Sequence, residues 1–112
     1  MTHTDRMKAL EQLAGMIRDH DMARLQQLGA QRDRTRSRIA ALSKPPAPCE
    51  DPIVFTAQQA HARWAANQRM QLNMVLAQET ALLLEQRSKA MRSFGRVQAL
   101  AKLRGRTWPT GR

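Results

Sequence analysis

Tyrosine is absent from this chain of 112 residues, and only two Trp and two Phe are present. Large aromatics supply much of the burial in a compact core, so a thick globular interior is not expected. A single cysteine, Cys49, excludes an internal disulfide framework and any multi-cysteine zinc site. It fits a reducing compartment. No apolar run reaches the roughly 18 residues of a membrane-spanning helix. The opening residues MTHTDRMKAL mix charges and lack the apolar region of a secretory signal. Acids are scarce too: 9 Asp+Glu face 19 Lys+Arg, for a formal net charge of +10. Alternating Val/Ile/Thr/Phe runs and Asn-Gly or Asp-Gly turns are missing, which argues against strands. Enzyme signatures are missing as well: no Gly-rich phosphate loop, no His-Glu-x-x-His, no Gly-x-Ser-x-Gly. No cofactor is implied.

What is there is helix-forming. Ala, Leu, Gln, Arg and Met dominate two long stretches separated by the segment KPPAPCEDP. Pro45, Pro46, Pro48 and Pro52 stop a helix, because proline lacks an N–H and clashes with the preceding turn. The reading is all-α: an antiparallel coiled-coil hairpin forming one domain over residues 1–112. Helix 4–43 is followed by a Pro-rich loop 44–55, helix 56–104 and a flexible basic tail 105–112. At 1.5 Å per residue the helices span roughly 60 Å and 70 Å. Thr2 or Thr4 caps the first helix. Thr56 with Gln59 forms a capping box for the second, and Phe55 sits as a hydrophobic staple.

Apolar spacing suggests the seam. Met7, Leu10, Ala14, Ile17, Leu25, Leu28, Ile39 and Leu42 recur on the first helix. Ile17, Leu28 and Ile39 are 11 apart, which favours a straight or slightly right-handed pairing. Trp64, Leu72, Val75, Leu82, Leu83, Phe94, Val97 and Leu100 form the facing stripe. Folding at the loop sets Ile39 near Ala60, Leu28 near Leu72, Ile17 near Leu82 and Leu83, and Met7 near Phe94. Asp21, Gln31 and Thr35 interrupt the seam. Gly15, Gly29 and Gly95 weaken the helices by about 1 kcal/mol each relative to Ala.

Candidate chemistry is sparse. His3, His20 and His61 are scattered and read as structural. Cys49 lies beside Glu50 and Asp51 in the Pro-rich loop and reads as an incidental exposed thiol, not an activated nucleophile. Charge is the clearest signal: residues 87–112 carry eight bases and no acid, and residues 31–44 carry a net +4. The middle is neutral or slightly acidic. A basic tail suits nucleic acid, but interleaved aromatics are absent apart from Trp108. Met70, Met74, Ala77, Ala81, Leu84 and Met91 form a second stripe away from the seam. Methionine is over-used on partner surfaces, so Met70, Met74, Leu84 and Met91 are candidate partner contacts.

With Met7-x-x-Leu10-x-x-Leu13 near its start and Phe94-Gly-Arg-Val-Gln-Ala-Leu-Ala-Lys-Leu-Arg104 near its end, the chain resembles the FliJ-type flagellar export proteins. That family includes the YscO-type stalk proteins of type III secretion. The resemblance implies a non-enzymatic coiled-coil stalk or escort. It would be cytoplasmic, or peripheral at the inner membrane through the export apparatus. Its implied partners are the export ATPase, the export gate and substrate chaperones. Arg92, Arg96, Lys102 and Arg104 would then face acidic loops of the ATPase ring. Two alternatives stand beside it: a basic helical nucleic-acid-binding module, and a structural coiled-coil self-association protein.

Overall fold

A computed structural model describes residues 2–106; Trp108 and the rest of the tail beyond Arg106 lie outside the described residues. Two helices account for almost all of it, α1 (His3–Leu42) and α2 (Pro52–Gly105), packed against each other as an all-α hairpin. No strand occurs among the described residues.

The N-terminus of α1 is held by a reciprocal cap. The Asp5 amide donates to Thr2 Oγ1 at 3.2 Å, and the Thr2 amide donates to Asp5 Oδ2 at 3.3 Å. This is a capping box with Asp in the acceptor position usually taken by Glu.

Helix α2 begins four residues earlier than the Thr56 cap predicts. Asp51 is its cap: the Ile53 amide donates to Asp51 Oδ1 at 3.0 Å and the Phe55 amide to the Asp51 carbonyl at 2.8 Å. Pro52 takes the first helical position, where its missing N–H costs nothing and its φ is already helical. The Thr56 hydroxyl instead donates back to the Pro52 carbonyl at 2.8 Å. Phe55 stays half exposed and forms no staple.

The chain divides into two compact units. The first pairs residues up to Gln27 with residues from Leu83 onward; the second runs Leu28–Leu82. In the first unit, Glu11 meets Arg104 at 2.9 Å and Asp21 meets Ser93, so one helix number rises as the other falls. The segments are antiparallel. In the second unit, Thr35 donates to Glu79, and Arg69 donates to the Leu42 carbonyl at 3.4 Å.

These pairs place α1 about two heptads further along α2 than the apolar matching predicts. The connector explains the offset within the second unit. Residues 43–51 run back beside the first turns of α2, where Gln58 Nε2 donates to the Ala47 carbonyl at 2.9 Å. Nine residues of proline-rich, extended chain reach roughly 28 Å. The helical rise from Pro52 to Arg69 is about 26 Å. The first turns of α2 therefore lie beside the connector and only the last turn of α1, which leaves Ile53, Phe55 and Trp64 exposed.

The seam also has a different period from the expected 11-residue one. In the first unit the covered positions of α1 are Met7, Glu11, Ala14, Arg18, Asp21 and Leu25; only Gly15 falls outside that series. They face Leu83, Gln86, Ala90, Ser93, Val97 and Leu100 of α2. In the second unit Leu28, Arg32, Thr35, Ile39 and Leu42 of α1 and Ala65, Arg69, Leu72, Leu76 and Glu79 of α2 are covered in the same rhythm, with Gly29, Gln58, Ala66, Gln68 and Thr80 covered outside it. Steps of three and four alternate throughout, the 3.5-residue period of a left-handed coiled coil. Ile17, Trp64, Val75, Leu82 and Phe94 stand outside it, 39–52% exposed.

The interior is thin. Its deepest apolar residues are Leu28, Ala65 and Ala90, and its deepest polar ones Thr35, Gln86 and Ser93. Small side chains let the backbones approach, but they bury little area.

Gly29 lies in mid-helix, and a methyl group there would meet nothing within 4 Å. Gly29→Ala is expected to raise unfolding stability by about 0.5–1 kcal/mol through helix propensity. Urea denaturation followed by circular dichroism measures it; an unchanged midpoint would contradict a continuous α1.

Candidate functional site

The sequence singles out Arg92, Arg96, Lys102 and Arg104, and α2 does not present these four together. Arg104 turns toward the seam, where its guanidinium pairs with Glu11 Oε2 at 2.9 Å. Lys102 lies on the side of α2 away from α1. Arg92 and Arg96, one turn apart and both exposed, share a flank of the first unit.

Sorting that unit around its helices separates two flanks. One carries Arg6, Leu10, Leu13, Ile17 and Arg24 of α1 and Lys89, Arg92, Arg96, Ala99 and Leu103 of α2. Each set advances by three, four or seven residues, so each forms one stripe. The structure joins them in a groove of about 350 Å³ lined by Leu10, Leu13, Ala14, Ile17, Ser93, Arg96, Ala99 and Leu100. Leu10, Leu13 and Ile17 are 49%, 55% and 39% exposed. This flank bears one acid, Glu85.

The opposite flank has a second groove of about 460 Å³, with Met22, Leu25, Ala90, Met91, Phe94 and Gly95 among its lining residues. Its charges balance: Lys8 and Arg87 against Asp5 and Asp19. The candidate contact Met91 belongs here and Leu84 lies near it along α2, 67% and 60% exposed. In the second unit Met70 and Met74 are among the most exposed apolar side chains, at 68% and 69%. Ala77 and Ala81 continue their stripe.

Sequence reasoning placed Leu10 and Ile17 in the seam and missed the groove they wall. The usable signal was the alternation of three and four regardless of residue type. It runs through Glu11, Arg18 and Asp21 and leaves Leu10, Leu13 and Ile17 to one side.

Beneath the grooves lies a polar cluster. The Ser93 hydroxyl donates to Asp21 Oδ2, and Gln86 Nε2 donates to the Asp21 carbonyl at 2.9 Å. The Ser93 hydrogen bond lowers the Asp21 pKa from its ordinary value, against a smaller opposing effect of partial burial; His20, 3.5 Å away, lowers it further. Other seam charges are less well matched: Glu11 Oε1 and Arg32 Nε are buried with no partner among the described residues.

The remaining candidates are dispersed. His61 packs against Trp64 with ring centroids 5.5 Å apart. Cys49 is half-buried in the connector, less exposed than its surroundings predict. Among the described residues, no cluster of three or more His, Cys, Asp or Glu could hold a metal ion, and no helix is long and apolar enough to cross a membrane. No protein-family model matches the chain, and comparison with curated proteins and with solved structures returned no match.

The Asp21 pair has a signed pH dependence. A carboxylate whose folded pKa is depressed adds stability above its unfolded value, near 4, and loses it as pH falls through the folded value. Ser93→Ala should therefore be destabilising at neutral pH, and the gap to the parent chain should narrow as pH drops below about 4. Urea midpoints across that range measure it; a gap independent of pH would contradict the ionised pair.

Proposed function

We propose that this chain is a non-enzymatic docking protein, a helical hairpin that works by binding other proteins. Its most specific reading is a cytoplasmic stalk or escort in flagellar, type III protein export, as the resemblance to FliJ-type proteins suggests. The observation that carries the reading is the acid-free stretch of α2 after Glu85, with Arg92 and Arg96 exposed beside an apolar groove. A two-helix unit with no thick interior offers no deep cleft for catalysis. It does offer long faces to partners. The basic stretch would draw an acidic ring surface from a distance, with the force fading beyond roughly 8 Å at physiological salt. Arg92 and Arg96 are the primary contacts in this reading. Lys102 is secondary, and Arg104 serves first to close the helix pair on Glu11.

The test is pull-down of an export ATPase by the full chain. Replacing Arg92, Arg96, Lys102 and Arg104 with Glu should reduce capture by about tenfold or more, and Arg92→Glu with Arg96→Glu should account for most of it. Capture unchanged by the fourfold variant would sink the assignment.

Self-association is a second reading, favoured by the exposure of Met70 and Met74 in the second unit. An apolar helix face of that kind serves a second copy as readily as a foreign partner. Sedimentation is then expected to show dimers or tetramers at tens of micromolar, and Met70→Gln with Met74→Gln to dissociate them. A monomer at that concentration excludes this reading.

A further inference from the structure

We infer that the groove walled by Leu10, Leu13 and Ile17 is the seat of an amphipathic helix from another protein, apolar on one face and acidic along its margins. The inference rests on reading this chain as a protein-docking module, but not on the export ATPase being the partner.

The first argument is shape. The groove runs between two antiparallel helices, with Ala14, Ser93 and Leu100 close to the seam and Leu10, Ile17, Ala99 and Arg96 further out. A third helix laid there completes a three-helix packing, the common answer to a groove of this form. From Leu10 to Ile17 the wall rises about 10 Å, two turns, which matches anchors at i, i+3 or i+4 and i+7 of an incoming helix.

The second argument is charge. Arg6, Arg24, Lys89, Arg92 and Arg96 border this flank, all exposed, with Glu85 the one acid. The opposite flank is balanced, so the bias belongs to this groove rather than to the unit as a whole. Acidic residues at the margins of the incoming helix would pair with the bordering cations, while its apolar face covers the three aliphatic walls. Such rim pairs add steering and orientation more than affinity.

The same two features turn away other occupants. A second copy would bring an identical set of cations against the first, which costs free energy. Nucleic acid uses cations and stacking aromatics; this flank supplies the cations, but no aromatic side chain is among the described residues that line the groove. A bilayer meets convex apolar surfaces, and these leucines line a concave one.

The probe is a fluorescent amphipathic peptide of about five helical turns, with Leu at anchor positions and Glu flanking them. A scrambled peptide of identical composition is its control. The full chain should bind the ordered peptide at least tenfold more tightly than the scrambled one. Arg92→Glu with Arg96→Glu should weaken binding by about tenfold or more, while Arg87→Glu on the opposite flank leaves it within about twofold. Leu13→Gln, at an exposed wall position, should weaken binding even in high salt, with circular dichroism confirming that both helices persist. Equal binding of the scrambled peptide would overturn the proposal, as would equal loss with Arg87→Glu. Displacement of the peptide by oligothymidylate or by phosphatidylglycerol vesicles at lower concentrations than unlabelled peptide requires would overturn it too. A failed ATPase pull-down with intact peptide binding rejects the export assignment alone.

Discussion

Everything about this hairpin follows from polar side chains at its coiled-coil positions. A two-helix seam of large aliphatics would bury more area, but it would accept several registers, since one leucine layer resembles the next. Here Ser93 fits Asp21, Thr35 fits Glu79 and Arg104 fits Glu11. Sliding either pair of segments by one heptad would take these partners from the partly covered carboxylates of Asp21 and Glu79, at a cost of about 1–3 kcal/mol for each. The register is specified by what a wrong register would lose.

That choice displaces the apolar side chains. With Glu11, Arg18 and Asp21 in the seam, Leu10, Leu13 and Ile17 move to its shoulder, and Phe94 to the other. The shoulders become grooves where small seam residues lie beside them, Ala14 and Ser93 under one and Ala90 under the other. The cations sort with one shoulder and not the other. An unusually polar seam and unusually apolar shoulders are thus one arrangement, and they leave the docking faces in the open.

Much of this was legible in the chain. The helix content, the proline break and the antiparallel return follow from composition and from the chemistry of proline. Arg92 and Arg96 stood out because no acid accompanies them. The register was not legible, because matching apolar to apolar assumes that the largest hydrophobes are buried. Leu82, Phe94 and Trp64 are not. Pro52 was read as a terminator when it starts a helix, since the same missing N–H serves both ends. Grouping Lys102 and Arg104 with Arg92 came from counting charge along the chain, when the structure distributes it around a helix.

The connector reaches back to bring Leu42 to Arg69, 27 residues apart, whereas Glu11 and Arg104 are separated by 93. Closing the longer loop from an open chain costs about 1 kcal/mol more. The hairpin is therefore a zipper with a preferred starting tooth. Contacts near the connector can form early and locally, and each makes the next a short closure instead of a long one. The pairing of Glu11 with Arg104 needs the longest closure of these contacts when it forms alone. The groove between Ile17 and Arg96 belongs to the same unit as that pair, where a bound helix would act as a clasp across segments far apart in sequence.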